Sequence, residues 1–436
     1  MRKFLILLLL ALPLGAQTVT LLHISDYHSH ALPFYTDEGE RGGIARAIGY
    51  LRQQKRAGAL VFSGGDTINK GAPAWSDKYG CAEWPWFNGI VDAAAFGNHD
   101  ADYGFADFEK CRKSVRYPIL SANTKGFRPY VVLKVKGLRI GVFALAGDDF
   151  PQLVKVPELT FSDPLTAARE MVRTLREKER VDAVVMIGHQ DVEDDYAMAQ
   201  AVPGIDLIFG SHSHMKRDLT RIPDTSTTYI SPSQYLTYVS RVEMTIADGR
   251  VTSIHGGLVP VDERLPEDRR IAARVRRMQD DLEKDPKYRE LFQVIGKLDA
   301  PLSVAQLANR TVAIMREVTK SDVALSTSSS FRRPLPSGPI TMELLRGSMP
   351  YDNEIVVCQM TGANLQRLFD HDASQKDTDT ASFIARPDAI VPDQNYKVAT
   401  TEYLAFVAYK NVFTCDAAKS GLRVRDEVRK ALIPSS

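Results

Sequence analysis

The chain has 436 residues, and its 55 basic and 54 acidic residues leave a net charge of +1. Apolar residues make up 44% and charged residues 25%, the balance of a globular protein long enough for two or three domains. This composition disfavours a disordered chain, a coiled coil, a collagen-like fibre and a disulfide miniprotein. Without a basic excess, nucleic acid is not an expected partner.

The N-terminus predicts a secretory signal peptide over residues 1–16. Arg2 and Lys3 precede an apolar run over residues 4–12, and small residues lead to Ala16. A membrane span takes about 20 apolar residues, so this run is too short to be an anchor. No later stretch of the sequence is long and apolar enough to cross a bilayer. We therefore expect a periplasmic or secreted protein with no integral membrane segment after cleavage.

Four cysteines remain in the expected mature chain, and none forms a Cys-x-x-Cys pair. In an oxidising compartment two disulfides are expected. Of the three connectivities, Cys81 with Cys111 and Cys358 with Cys415 keeps each bridge within one half of the chain. Four buried free thiols are the alternative.

Five short apolar runs each end at a polar cluster and predict buried strands. They are residues 19–24, 60–62, 90–96, 181–187 and 205–209. Helical patterns lie between some of them, with apolar faces made by Ile44, Ile48 and Leu51 and by Ala168, Met171, Val172 and Leu175. Strands alternating with helices indicate a layered α/β architecture, in which ligands bind at the carboxyl ends of the strands. All five polar clusters fall there.

The second part of the chain has a different pattern. Pro266 opens a charged segment in which apolar residues recur at helical spacing, namely Ile271, Val275, Met278 and Leu282. After Lys287, residues 326–338 are rich in Ser, Pro and Gly and predict a loop, whereas residues 354–360 and 396–400 predict strands. We interpret the chain as two domains joined by a helix.

The polar clusters carry residues that commonly bind metals. Asp26 and His28 are two apart and can face one ion together, as can His212 and His214. Each of three further candidates directly follows a glycine, and these are Asp66, Asn98 and His189. Seven nitrogen and oxygen ligands suit two ions that share a bridging carboxylate. Imidazole mixed with carboxylate indicates Zn, Mn, Fe or Co.

The same clusters resemble, in order, the signature of the calcineurin-like metallophosphoesterases. They read DYH (26–28), GD (65–66), GNHD (97–100), GH (188–189) and GSHSH (210–214). The longer stretch GNHDADYG (97–104) resembles the 5′-nucleotidase branch. In the second half GPIT (338–341), PYDN (350–353) and MTG (360–362) resemble the C-terminal substrate domain of that branch.

This resemblance implies an architecture for the mature chain. Residues 17–262 would form a four-layered α/β/β/α metallophosphoesterase domain, residues 263–296 a linker containing the helix, and residues 297–436 a smaller α/β substrate-binding domain. It also implies roles for the ligands. Asp26, His28 and His214 would hold one divalent ion, Asn98, His189 and His212 the other, and Asp66 would bridge them. A pair of divalent ions stabilises negative charge on a phosphoryl oxygen and activates water for in-line attack.

Further residues are implied by the resemblance alone. His99, held by Asp102, would lie over the phosphate and stabilise the transition state or protonate the leaving oxygen. Arg332 would grip the phosphate, and Tyr351 and Tyr403 would stack on the base of a nucleotide.

Three departures from the family affect the substrate side. Residues 328–330 are serines where relatives have a glycine-rich turn, the further arginines near Leu302 have no match, and no Gly-Gly-Asp-Gly turn follows Tyr403. The expected function is that of a 5′-nucleotidase acting on nucleoside monophosphates, with 2′,3′-cyclic nucleotides as further substrates. The alternatives are a hydrolase of a non-nucleotide phosphoester or thiosulfate ester, and a metal-retaining periplasmic binding protein.

Overall fold

The computed structural model of the protein describes residues 15–71, 73–375 and 381–432. The predicted signal peptide lies outside the described residues except for Gly15 and Ala16. Within the described ranges, no helix has both the length and the apolar character needed to span a bilayer.

The first half of the chain is built from two six-stranded sheets. Its strands are β1 (Gln17–Ile24), β2 (Pro33–Thr36), β3 (Gly39–Gly42), β4 (Leu60–Ser63), β5 (Ala93–Ala95), β6 (Ile119–Leu120), β7 (Tyr130–Val135), β8 (Leu138–Ala146), β9 (Ala183–His189), β10 (Leu207–Gly210), β11 (Lys216–Arg221), β12 (Thr228–Pro232), β13 (Tyr238–Ala247) and β14 (Arg250–Pro260). One sheet has the order β14-β13-β1-β4-β5-β6 and the other β11-β12-β10-β9-β8-β7, while β2 and β3 form a separate hairpin.

Helices cover the outer faces of both sheets. They are α1 (Ile44–Arg56), α2 (Ala74–Tyr79), α3 (Phe105–Ser114), α4 (Phe150–Leu153), α5 (Pro164–Arg173), α6 (Val192–Ala201) and α7 (Arg269–Lys284). The inner faces pack against each other through side chains such as Phe62, Val142 and Ile187. Helices α1 and α7 pack on the first sheet, and α5 and α6 on the second. The expected four-layered α/β/β/α arrangement is therefore confirmed.

Helix α7 begins at Arg269 and not at Pro266, where the sequence pattern placed its start. The reason is a side-chain cap: the Asp268 carboxylate accepts the backbone N–H groups of Arg270 and Ile271, at 3.1 and 3.0 Å. Ile271, Val275 and Leu282 are buried on one face of the helix, as their spacing predicts.

The second half of the chain is a smaller α/β unit. Its strands are β15 (Val294–Leu298), β16 (Val323–Thr327), β17 (Gly338–Thr341), β18 (Glu354–Thr361), β19 (Ser382–Ala385), β20 (Asn395–Thr401) and β21 (Ala418–Arg423), and its helices are α8 (Val304–Thr319), α9 (Met342–Ser348), α10 (Gly362–Ser374) and α11 (Val424–Leu432). Five strands form one sheet in the order β19-β16-β20-β18-β21. Helices α8 and α11 pack on one face of this sheet and α10 on the other.

Two disulfides are present, as predicted, and they join Cys81 to Cys111 and Cys358 to Cys415. Each joins residues of one half of the chain, as the sequence suggested. The alternative of four free thiols is wrong.

Candidate metal centre and substrate cavity

The candidate ligands lie where strands of the two sheets end side by side. Strands β1, β4 and β5 are parallel neighbours in the first sheet, and β9 and β10 are parallel neighbours in the second. The residues that follow their carboxyl ends, with His189 as the last residue of β9, meet at one edge of the sandwich.

The backbone at this edge is unusual for residues with side chains. Five of the seven candidate ligands have a positive φ, between 48° and 66°, and these are Asp26, His28, Asp66, His212 and His214. Such left-handed backbone is uncommon outside glycine and is found at functional sites. Backbone hydrogen bonds between the loops hold it, including His28 N–H to Asp66 O at 2.9 Å.

Glycine is required where two of these loops touch. A Cβ on Gly97 would collide with the Asp66 carboxylate, and one on Gly64 would collide with Ser25 and Ser211. The glycines before the ligands therefore allow the strand-end loops to approach closely.

One group of ligand atoms surrounds a space suited to a cation. His28 Nε2 lies 3.0 Å from His214 Nε2 and 3.7 Å from Asp66 Oδ2, and His214 Nε2 lies 3.4 Å from Asp26 Oδ1. One ligand atom from each of these four residues lies within 4.8 Å of the others. All four residues are buried or nearly so.

A second group adjoins the first through Asp66. Asn98 Oδ1 lies 3.1 Å from His189 Nε2 and 3.0 Å from His212 Nδ1. His189 Nε2 is also 3.4 Å from Asp66 Oδ2, the same oxygen that faces His28. The Asp66 carboxylate therefore lies between the two groups, as the bridging assignment requires.

The hydrogen bonds of the imidazoles fit metal ligands. His28 Nδ1 pairs with the carbonyl of Ile68 at 3.2 Å and His189 Nδ1 with that of Gly64 at 2.5 Å, so these nitrogens donate. Each Nε2 then presents a lone pair to the centre, the arrangement seen when histidines bind metals.

The charge of the centre also fits divalent cations. Burial lowers the pKa of His28 to about 4, although the neighbouring carboxylates act in the opposite direction. The His28 ring is therefore neutral at neutral pH. At His189 burial acts in the same direction, but the negative charge of Asp66 outweighs it and raises the pKa. Buried carboxylates that draw protons in this way form a site that a cation would neutralise.

His99 lies beside the ligands, in the helical turn Asn98–Ala101 that follows β5. Its backbone N–H donates to Asp66 Oδ1 at 2.8 Å, and its Nδ1 pairs with Asp102 Oδ2 at 2.8 Å. The neighbouring Asp100 accepts backbone N–H groups of Gly97 and Thr67, at 3.0 and 2.8 Å, and so ties the two loops together.

A cavity of about 250 Å³ opens onto this centre and is lined by both halves of the chain. Its lining residues are Asp66, Asn98, His99, Asp102, Asp149, Leu153, Asp191, His212, His214, Ser329, Arg332, Tyr351, Asn353 and Tyr403. The structure therefore brings all three predicted substrate contacts, Arg332, Tyr351 and Tyr403, to the same space as His99. Arg332 Nη2 also lies 3.3 Å from the Tyr351 hydroxyl.

Sequence reasoning missed several residues of this cavity. The most informative is Asp149, whose Oδ2 accepts a hydrogen bond from His212 Nε2 at 3.1 Å and orients that ring. Asp149 follows the carboxyl end of β8, so the same strand-end signal would have indicated it. Asn353 is the last residue of the PYDN segment, which resembles the C-terminal substrate domain of the family.

Two family models match the chain and identify it. Residues 19–216 match the calcineurin-like phosphoesterase model, and residues 294–388 match the model of the 5′-nucleotidase C-terminal domain. The chain belongs to the calcineurin-like metallophosphoesterases of the 5′-nucleotidase family. As a member of this metal-dependent family, it is a phosphoester hydrolase.

Relatives agree with this assignment over most of the chain. The human 5′-nucleotidase is 26% identical over 85% of this chain and 74% of its own length. Among solved structures, a 5′-nucleotidase precursor from Thermus thermophilus has a TM-score of 0.74 at 21% identity, over 95% of this chain and 96% of that one. The sulfate thiohydrolase SoxB from Thermus thermophilus has a TM-score of 0.75 at 19% identity, over 95% and 94%. At these identities, the structural likenesses describe the fold.

Proposed function

We propose that this protein is an exported 5′-nucleotidase that uses two divalent cations to release phosphate from nucleoside monophosphates. Residues 1–16 would direct export to the periplasm or the medium. Residues 17–262 would carry the metals, residues 263–296 would connect the two domains, and residues 297–436 would bind the substrate. The 5′-nucleotidase relative and the C-terminal domain model support the choice of nucleotide.

The candidate ligands divide into two sets. Asp26, His28 and His214 would hold one ion; Asn98, His189 and His212 would hold the other; and Asp66 would bridge them. Their mixed nitrogen and oxygen donors suit Zn, Mn, Fe or Co. When bound, two such ions supply electrophilic stabilisation of a phosphoryl group and activation of water.

The remaining residues of the cavity would act on the substrate directly. His99, oriented by Asp102, would hydrogen bond to a phosphoryl oxygen or to the leaving oxygen. The planar guanidinium of Arg332 suits a phosphate, and Tyr351 and Tyr403 offer ring faces to a base.

One observation carries this proposal: groups suited to metals, phosphate and base line a single cavity of about 250 Å³. A cavity lined only by metal ligands would support a phosphoesterase without a preference for nucleotides.

The altered substrate residues favour a second candidate, hydrolysis of a non-nucleotide phospho- or thiosulfate ester. Ser328–Ser330 forms a short helical turn and has no backbone in the left-handed region, unlike a glycine-rich turn. After Tyr403 the chain makes another helical turn, Leu404–Ala408, where relatives have a glycine-rich loop. Both changes affect substrate contacts and leave the ligand set intact.

The test is phosphate release by the mature, metal-stripped protein after Mn²⁺ or Zn²⁺ is restored. AMP and p-nitrophenyl phosphate are assayed side by side, and bound metal is counted in the same samples. We expect two ions per chain and a strong, metal-dependent preference for AMP.

Each other result has a clear meaning. Comparable slow rates on both esters would contradict the nucleotidase assignment and favour the second candidate. Metal uptake without phosphate release from either ester would favour a binding protein. A single bound ion at full activity would overturn the two-ion assignment.

A further inference from the structure

A second cavity, of about 350 Å³, lies between the two halves of the chain and is larger than the substrate cavity. Phe34 and Trp75 line it from the first half, Leu282 of α7 from the connecting helix, and Arg333 and Leu344 from the second half. It shares no lining residue with the substrate cavity. Its volume is in the range of small-molecule sites.

Arg333 is a cation in this wall without a paired anion. Its Nε donates to the carbonyl of Gly347 at 3.2 Å, and its guanidinium lies 5.0 Å from the centre of the Phe34 ring. Among the described residues, Arg333 forms no ion pair within 4.0 Å, although the negative charge of Glu343 acts on its guanidinium from farther away. The wall carboxylate Glu343 is instead engaged by the Ala74 backbone N–H at 2.8 Å and by Arg346 at 3.8 Å.

The arginine is held there at an energetic cost. Burial lowers the pKa of Arg333, because the surrounding apolar wall desolvates the guanidinium. A cation in such surroundings is stabilised by an anion that binds in the fork geometry of its N–H groups. The packing also depends on Gly347, since a Cβ at that position would overlap the guanidinium.

We propose that this cavity binds a small organic carboxylate with a flat apolar body. The carboxylate pairs with Arg333, and the body packs between Phe34 and Trp75. Glu40 and Glu343 also line the cavity and disfavour a more highly charged phosphate or phosphonate. The site is thus distinct in place and chemistry from the one that hydrolyses esters.

A ligand bound in this cavity would stabilise the contact between the two halves, because it touches both. A ligand that binds only the folded, assembled form raises the apparent stability of the chain by mass action. Binding and heat resistance are therefore two readouts that do not depend on the hydrolysed substrate.

The probe is 3-(4-hydroxyphenyl)propionate, titrated calorimetrically into the metal-loaded mature chain. We expect saturable binding of one molecule per chain and a raised melting temperature. The neutral amide of the same acid should bind at least tenfold more weakly. 4-Hydroxybenzylphosphonate should also bind more weakly, whereas equal or tighter binding of the amide or the phosphonate would overturn the carboxylate assignment.

Two variants and one control locate the binding. Arg333→Met keeps a long apolar side chain and should abolish binding, while Arg173→Met, an exposed arginine at the end of α5, should leave it unchanged. Leu344→Trp fills the cavity and should also abolish binding. If wild-type protein fails to bind the probe, or if the Leu344 variant binds it normally, the proposal is wrong whether or not the Arg333 variant folds.

Discussion

The imidazole of His99 is surrounded by carboxylates, Asp102 at its Nδ1 and Asp66 beside its backbone N–H. Burial alone lowers the pKa of a histidine, but these negative charges outweigh it and raise the pKa of His99 to about 10. In these surroundings the ring is protonated at neutral pH and can donate to an anionic phosphoryl oxygen.

Replacing His99 should separate chemistry from metal binding. We expect His99→Gln to lower kcat by about 10²–10⁴ with unchanged metal content, because its ring belongs to neither ligand group.

Asp102→Asn should move the alkaline limb of the pH–rate profile to lower pH, because the protonated His99 ring loses a stabilising charge. Metal analysis and AMP kinetics across pH test both. The exposed His255→Gln is the control, and metal loss in the His99 variant would contradict the assigned role.

Asp149 is a positioning residue for His212. Asp149→Asn should weaken metal binding about 10–100-fold, because the ring loses the carboxylate that accepts its Nε2 proton. Asp148→Asn changes a neighbouring carboxylate of the same loop and serves as the control. Titration of both variants with Zn²⁺ measures the effect, and equal affinities would show that Asp149 does not orient the ligand.

The buried carboxyl group of Glu83 should make the stability of the protein depend on pH. The residue is fully buried and hydrogen bonded to the Tyr27 hydroxyl, and burial raises its pKa from 4.5 to about 7. Between these values the folded state keeps a proton that the unfolded state has released. Stability of the metal-free protein should therefore fall by about 3 kcal/mol as pH rises through this window, and level off above it.

Denaturant unfolding at several pH values measures this dependence. Glu83→Gln should remove about 3 kcal/mol of this fall, because the amide does not ionise, and should leave the part due to Asp100 and Asp194, whose pKa values are also raised by burial. The exposed Glu158→Gln should preserve the whole dependence. An unchanged slope in the Glu83 variant would assign the pH dependence to other groups.

The candidate ligands could be predicted at the residue scale because their signal is local. Each is a metal-binding residue type that ends a buried strand or lies within four residues of its end, and the chain carries the sequence motif of a known family. Asp149 carries the same strand-end signal, but it lies in none of the family motifs DYH, GD, GNHD, GH and GSHSH. Its importance depends on the loop after β8 lying against His212, a contact between residues 63 positions apart.

At the scale of elements, α7 connects the two halves and its start depends on one side chain. Asp268 caps the helix and also forms an ion pair with Arg52 of α1. Asp268→Ala should lower the free energy of unfolding by about 0.5–2 kcal/mol, as the loss of a helix cap does. Glu267→Ala, at the exposed preceding position, should change it by less than about 0.5 kcal/mol. Equal effects in chemical denaturation would mean that the cap contributes nothing.

The elements differ in how well sequence predicted them. Strands β9 and β10 are buried on both faces, so they appear as continuous apolar runs and were predicted. Strands β13 and β14 contain partly exposed residues at many positions, so they form no continuous apolar run and are not predicted from the sequence. Strand β5 is only Ala93–Ala95, shorter than predicted, because Ile90 and Val91 are buried in the turn before it.

For the whole molecule, the two disulfides stabilise different halves of the chain. Cys358–Cys415 closes a loop of 57 residues in the second half, far from every candidate metal ligand in sequence. Replacing both of these cysteines by serine should lower stability by about 2–4 kcal/mol, because the unfolded chain gains freedom. Metal content should stay unchanged.

Calorimetry and metal analysis together test this expectation. The matched control is the double replacement of Cys81 and Cys111, which removes the loop-closing bond of the first half. Loss of metal in the Cys358 and Cys415 variant would show that the second half is needed to keep the ligand loops in place.

The two halves also contribute different chemistry to the cavity they share. All seven candidate ligands and His99 come from the first half, whereas Arg332, Tyr351 and Tyr403 come from the second. The three departures from the family lie in the second half, and the ligand set is complete. Sequence therefore predicted the reaction class better than the substrate, because substrate contacts depend on how the second half faces the first.

The positive φ angles of the ligand residues also affect how the heat resistance of the enzyme can be increased. Each non-glycine residue in that conformation costs of order 1–3 kcal/mol, which the surrounding hydrogen bonds offset. Glycine at Asp26, Asp66 or His212 would relieve backbone strain while removing a ligand. A library screened for heat resistance alone would therefore accumulate inactive proteins with substitutions at these ligand positions. Directed evolution of this scaffold needs a selection for turnover in every round.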